Sequence, residues 1–211
     1  MKLGLISDVH GDPVALELAW AHLTVLGADR IVCAGDVVGY GPWPDRAVAF
    51  LKEHAIDSVR GNHDRWALER GTGVRDPFRG GTPSAATLEY LAGLPFDRII
   101  EADGKIVVVV HGSIRDDMEW VTRKDHPRSL LRGWLGDIRA DVLVVGHTHE
   151  PMLCETDRGI VVNPGSVISA PVTKTSRTFA LLDLATLAVS FHAVETGEPV
   201  EVGPWTDEPD R

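Results

Sequence analysis

The 211-residue chain has only two cysteines, too few for a disulfide framework. Cys33 lies in the apolar run Ile31-Val-Cys-Ala34 and Cys154 in Met152-Leu-Cys154. Both read as core residues, because reduced cysteine packs as a small hydrophobe. Long hydrophobic runs are also missing, and none approaches the roughly 20 residues that span a bilayer. The opening Met1-Lys-Leu-Gly-Leu-Ile6 lacks the basic and then long apolar start of an export signal, so the expected location is the cytoplasm. Basic charge is in short supply: 21 Lys and Arg against 31 Asp and Glu leave a formal charge of −10. Gripping a long nucleic acid needs a basic surface that neutralises many phosphates, so neither a polymer substrate nor a membrane partner is expected. With 44% hydrophobic and 25% charged residues, the composition is that of an ordinary domain large enough to bury a core. No internal repeat or separating linker is visible, and residues 1–211 read as a single domain. The acidic, proline-containing tail from Gly197 is expected to be loosely held.

What is present is a repeated order of strand, polar cluster and helix. Leu3 to Ile6 reads as a strand, and Asp12-Pro13 as a helix cap followed by proline at the first helical position. Leu16, Trp20 and Leu23 then follow at helical spacing up to Gly27. Arg30 to Ala34 repeats the strand, Pro44 to His54 the helix, and Ile56 to Arg60 the next strand. The spacings from Asp8 to Asp36 and from Asp36 to Asn62 each suit one βαβ crossover, which makes strands parallel and brings their C-terminal ends to one sheet edge. From Asp64 to Leu94 the pattern changes, interrupted by glycines, and predicts a mostly helical cap at about 64–94, with a helix starting at Thr82-Pro83. Asp97 to Ile100 and Lys105 to Val110, joined through Asp103-Gly104, predict a hairpin. A helix around Ser129 to Ile138 and strands at Val142–Val145, Ile160–Val162, Thr178–Leu184 and Ala188–Val194 complete the expected elements.

Five of the nine histidines belong to polar clusters that end these strands: Asp8-Val-His10, Gly61-Asn-His-Asp64, His111 and Gly146-His-Thr-His149. Gly35-Asp36 is a further cluster of the same kind. Taken singly each has a bland reading, since an aspartate can cap a turn and a lone histidine can be a surface residue. Taken together, carboxylate, imidazole and carboxamide groups at converging strand ends make a donor set for manganese, iron, cobalt or zinc, with positions left for water and substrate. The chemistry this points to is hydrolysis assisted by two metals.

The set Asp8-x-His10, Gly35-Asp36, Gly61-Asn-His-Asp64, His111 and Gly146-His-x-His149 resembles the motifs of the calcineurin-like metallophosphoesterases. Gly35-Asp-Val-Val-Gly-Tyr-Gly41 and Asn163-Pro-Gly-Ser166 resemble the small bacterial and archaeal phosphodiesterase branch. The resemblance implies an α/β fold: a four-layer α-β-β-α sandwich of two mixed β-sheets flanked by helices, with a small helical cap. It implies two divalent transition-metal ions per chain, manganese expected, with iron, zinc, cobalt or nickel as alternatives. Asp8, His10 and His149 would hold one ion and Asn62, His111 and His147 the other, with Asp36 bridging them. It also implies that His63 is a general acid rather than a ligand, with Asp64 orienting its ring. Ile114 departs from the branch, where proline often stands, and bears on loop shape rather than on ligation.

The implied function is a metal-dependent phosphohydrolase, foremost a phosphodiesterase acting on small diesters or nucleotides through metal-activated hydroxide. Cyclic nucleotides, dinucleoside polyphosphates and aryl esters are the candidate substrates. The nearest alternative is a phosphomonoesterase, and the alternative of another class is a catalytically silent metal-binding scaffold, as in a retromer subunit that resembles the family but lacks the catalytic histidine. Trp66, Arg65 and Arg79 in the cap could contact a base or phosphate, and Tyr40 and Trp43 near Asp36 are further candidates; packing and solvated charge are their bland readings. His22, His54, His126 and His192 read as surface or packing residues.

Overall fold

Alternating strands and helices need both faces of a sheet covered, and this chain supplies apolar side chains to both. A computed structural model describes residues 1–73, 80–168 and 177–205 of the protein. In chain order the elements are β1 (Lys2–Ile6), α1 (Pro13–Val25), β2 (Arg30–Cys33), α2 (Pro44–Glu53), β3 (Asp57–Ser58), α3 (Asn62–Arg70), α4 (Ala85–Ala92), β4 (Arg98–Ala102) and β5 (Lys105–Val109). They continue with α5 (Arg128–Asp137), β6 (Val142–Val144), β7 (Met152–Glu155), β8 (Ile160–Asn163), β9 (Thr178–Asp183), β10 (Ala188–Ala193) and β11 (Pro199–Val200). One sheet has the order β11-β10-β9-β1-β2-β3 and the other β4-β5-β6-β8-β7. Both are mixed: β1, β2 and β3 run parallel, as do β5, β6 and β8, and antiparallel strands complete each sheet.

The period of two along each strand divides the core into layers. Leu3, Leu5, Val32, Val107, Val109, Val142, Val144 and Val162 meet in one buried cluster between the sheets. The opposite faces of the same strands pack on helices. Ile6, Ile31 and Cys33 meet Leu16, Leu23, Val48, Leu51 and Leu91 of α1, α2 and α4, while Val108, Leu143, Val161 and Cys154 meet Leu131, Trp134 and Leu135 of α5. The result is the expected α-β-β-α sandwich. Helix α1 starts as its sequence predicts: Asp12 Oδ1 accepts from the amides of Val14 and Ala15, both at 3.1 Å, and Pro13 follows the cap.

Three elements differ from expectation. Helix α3 begins at Asn62, so the Gly61-Asn-His-Asp64 cluster is a helix start and not merely a strand end. Strand β7 pairs antiparallel with β8 and buries Cys154, and β11 pairs with β10. Beyond β11 the tail is held in place as far as Trp205, which is 4% exposed. Arg123 lies over its ring at 5.8 Å and donates to Gly203 O at 2.7 Å. Arg79 lies outside the described residues.

Candidate metal centre

Parallel strands deliver the motif residues to one end of the two sheets. Asp8 and His10 follow β1, Asp36 follows β2, Asn62 and His63 open α3 after β3, His111 follows β5, and His147 and His149 follow β6. All are buried. Their turns are tight: Asp8, His10, Asp36, His147 and His149 all have positive φ, between 47° and 67°. Non-glycine residues enter this left-handed region uncommonly, aspartate and histidine more readily than most, and five of them at one sheet edge mark a functional site. Gly61 is required by close approach, since a Cβ there would lie 2.2 Å from Asp36 Oδ1. A Cβ on Gly39 would lie 2.5 Å from His10 Nδ1 and 2.8 Å from His63 Nδ1.

Three groups of donors have their ligand atoms within 4.8 Å of one another: Asp8 with His10 and His149, His10 with Asp36 and His63, and Asp36 with His111 and His147. Asp36 Oδ2 stands 3.8 Å from His10 Nε2 and 3.3 Å from His111 Nε2. Asn62 Oδ1 is 3.0 Å from His111 Nε2. His10 Nε2 and His149 Nε2 are 3.1 Å apart, and Asp8 Oδ1 is 3.2 Å from the latter. Backbone carbonyls orient three of the rings: His10 Nδ1 lies 3.2 Å from Val38 O, His111 Nδ1 2.6 Å from Ala34 O, and His147 Nε2 3.2 Å from Met118 O. Each contact assigns one ring nitrogen to the backbone and leaves the other for the site, as ligating imidazoles require.

Charge is distributed unevenly among these groups. Burial alone would raise the Asp8 carboxyl, but His149 and His111 hold it down at about 2. Asp36 is likewise held well below the usual carboxylate range, burial being outweighed by His111, His63 and His10. Burial pushes the His10 ring down to about 3 against the attraction of Asp36 and Asp8. For His111 burial loses to the same two carboxylates, which lift the ring to about 10. Its Nε2–H then donates to Asn62 Oδ1, so a proton occupies the position a cation would take. Asp8 Oδ1 is buried and makes no aligned hydrogen bond among the described residues, facing instead the His149 and His10 nitrogens at 3.2 and 3.7 Å. An acceptor left unsatisfied among imidazole nitrogens and a second carboxylate fits a divalent cation of borderline hardness.

Asp64 takes a different place. Its Oδ1 accepts from Val38 N and its Oδ2 from Gly61 N, both at 3.0 Å, so it caps α3 and ties the helix start to the loop after β2. Burial and the Asp36 charge lift its carboxyl to about 7, with the amides of Gly61, Val38 and Val37 opposing. His63 N donates to Asp36 Oδ1 at 2.8 Å, and the His63 ring lies 4.8 Å from that of Trp66 and 4.7 Å from that of Tyr40.

Beside the donors opens a cleft of about 140 Å³, lined by Tyr40, Trp66, Met118 and Trp120 in addition to site residues. Tyr40 and Trp66 were candidates from sequence. Met118 and Trp120 were not, for nothing in the irregular segment between β5 and α5 announces them. Trp43 is absent from the cleft and 46% exposed under Arg46, and Arg65 is bound to Asp117 and Glu69. His126 and His192 are buried packing residues, and His22 and His54 are partly buried. The Asn163-Pro-Gly-Ser166 segment is structural. Asn163 Nδ2 donates to Gly146 O at 2.8 Å and Thr148 Oγ1 at 3.0 Å, and Ser166 Oγ donates to Asp8 O at 3.0 Å. One short segment thus pins the loops that carry Asp8, His147 and His149.

Comparison with known proteins agrees with this geometry. The chain is 28% identical over 194 residues to the uncharacterized protein MJ0912 of Methanocaldococcus jannaschii, covering 78% of this chain and 75% of that one. It is 25% identical to phosphodiesterase YfcE of Escherichia coli strain K12, with 90% and 91% of the two chains covered. A metallophosphoesterase crystal structure from Sphaerobacter thermophilus superposes with a TM-score of 0.72 at 28% identity, over 92% of this chain and 87% of that one. The calcineurin-like phosphoesterase superfamily domain matches residues 1–187. A match over nearly the whole chain, on a fold that gathers Asp, Asn and His donors at one sheet edge, makes this protein a member of that superfamily of metal-dependent phosphoric ester hydrolases.

Proposed function

We propose that the protein is a phosphodiesterase that hydrolyses small phosphate diesters or nucleotides with two divalent metal ions. The observation that carries this reading is the placement of Asp36, whose carboxylate lies between His10 on one side and His111 on the other. Asp8, His10 and His149 would hold the first ion, Asn62, His111 and His147 the second, and Asp36 both; manganese suits this oxygen-and-imidazole set. Ions bound there supply positive charge that acidifies the attacking water and offsets the phosphoryl oxygens.

The chain's own groups do the rest. His63 also falls within one donor group, but its ring opens on the cleft beside Tyr40 and Trp66, where a leaving group would stand. It gives its proton to the leaving oxygen. Asp64 positions it through the backbone, by fixing the first turn of α3. Val38, Ala34 and Met118 carbonyls hold the three imidazoles in orientation. The cleft continues from His63 past His147 to Met118 and Trp120, the path a second substituent on phosphorus would follow, and the buried cysteines suit the cytoplasm.

The test is hydrolysis of bis(p-nitrophenyl) phosphate against p-nitrophenyl phosphate by metal-stripped protein, with Mn²⁺, Zn²⁺, Mg²⁺ or nothing added back. Faster, metal-dependent diester cleavage is the expected result. Preference for the monoester would make the protein a phosphatase, and bound ions with no turnover would make it a scaffold.

A further inference from the structure

The cleft has two unlike walls. Tyr40 and Trp66 flank His63, whereas Met118 and Trp120 stand over His147, with the Trp120 ring 5.6 Å from that imidazole at 85°. Met118 is 39% exposed and Trp120 49%, so this second wall presents apolar surface to water at the mouth of a polar site. The exposure does not come from a loose loop. Arg65 grips Asp117 through two bonds of 2.7 and 3.0 Å, and Met118 N donates to Asp116 Oδ1 at 2.6 Å. Met118 O accepts from His147 Nε2, and Glu119 is held by Ser113 Oγ and, at 3.2 Å, by His126 Nε2. Residues 117 and 119 are tied to the body of the protein, and residues 118 and 120 between and beyond them line the cleft. A large apolar surface fixed in this way is arranged for contact.

Resting on the diesterase reading above, we infer that Trp120, with Met118, is the specificity wall for the ester substituent that stays on phosphorus, and that it selects a flat aromatic group there over an alkyl one. The assignment follows from the order of events around phosphorus. Water, having given one proton to solvent, bonds through its oxygen to phosphorus as the bond to the leaving oxygen breaks; the bonding pair departs with that oxygen, which takes its proton from His63, and His63 regains a proton from solvent. The leaving group therefore lies on the Tyr40 and Trp66 side. The two unesterified oxygens face the donor cluster, and the remaining substituent, roughly perpendicular to the line of attack, points away from that cluster along the mouth, where Met118 and Trp120 stand beside His147. The products are an alcohol and a phosphomonoester that still carries the aromatic group. A nucleobase and a simple aryl ring share the π-face that an indole can stack on.

The experiment holds the leaving group constant and varies only the retained one: phenyl p-nitrophenyl phosphate against methyl p-nitrophenyl phosphate. Wild type should favour the phenyl ester in kcat/KM, mainly through KM. Trp120→Ala should lower the phenyl-to-methyl ratio on the order of tenfold, Trp120→Phe should retain most of it, and Trp66→Ala should leave that ratio in place. A readout without turnover accompanies it: phenyl phosphate should quench tryptophan fluorescence in wild type, and this component should be lost in Trp120→Ala. An unmoved ratio in Trp120→Ala, in a wild type that cleaves both diesters, would overturn the inference and leave the diesterase reading intact. Failure of wild type to cleave either diester with any metal would overturn both.

Discussion

A methyl group at residue 61 would lie 2.2 Å from the Asp36 carboxylate, well inside van der Waals contact. Gly61→Ala should therefore displace Asp36 and cut metal content, read by elemental analysis after dialysis; a full complement of metal would show that the loop relaxes around the methyl group. His63→Ala should leave metal content unchanged and slow hydrolysis of alkyl leaving groups by about 10²–10⁴-fold, with a smaller loss for p-nitrophenolate, which departs without a proton. Equal losses across a leaving-group series would remove His63 from the acid role. Asp64 accepts from two backbone amides, and an asparagine offers only one accepting oxygen. Asp64→Asn should cost about 1–3 kcal/mol in urea unfolding, the penalty of a buried amide left without an acceptor.

Two loops meet at Asn163, which is fully buried and spends its carboxamide on Gly146 O and Thr148 Oγ1 of the loop after β6 and on Gly165 N of the loop after β8. Asn163→Ala should destabilise the protein by about 2–3 kcal/mol and weaken metal binding by loosening the turn that carries His147 and His149. Wild-type metal affinity in that variant would show that β6 and β8 hold the turn by themselves. The same elements show what the sequence makes readable. The path from β1 through β3 is legible because apolar runs, the Asp12-Pro13 cap and helical spacing agree with one another, and the donors at the strand ends are legible because parallel crossovers force those ends together. Strands β7 and β11 escape notice because their pairing partners, β8 and β10, define them: Met152–Glu155 follows closely on the His149 loop, and β11 is the Pro199–Val200 pair inside an acidic segment. Trp120 is invisible for a different reason: its position comes from bonds reaching from Asp117 to Arg65 and from Glu119 to His126, and no local pattern encodes them.

At the scale of the whole molecule, metal, proton and fold are linked. His111 is lifted to about 10, so near pH 7 the metal-free protein carries a proton that an incoming ion must displace. Because the folded state holds that proton more tightly than the unfolded chain, His111 stabilises the metal-free protein fully below its ordinary value near 6.5 and progressively loses this contribution as pH rises through about 10. Metal affinity should therefore strengthen as pH rises from 7 to 10, with about one proton released per chain, measured by titration calorimetry in buffers of different ionisation heat. An affinity independent of pH, with no proton released, would remove His111 from the coupling. Set against a typical net stability of about 5–15 kcal/mol, the five donors that sit in left-handed backbone, at about 1 kcal/mol each, are a heavy load. Replacing any of them by glycine would relieve strain while deleting a donor. Selection of this protein for heat resistance alone would therefore favour substitutions at Asp8, His10, Asp36, His147 and His149, and the hardiest variants to emerge would be inactive ones.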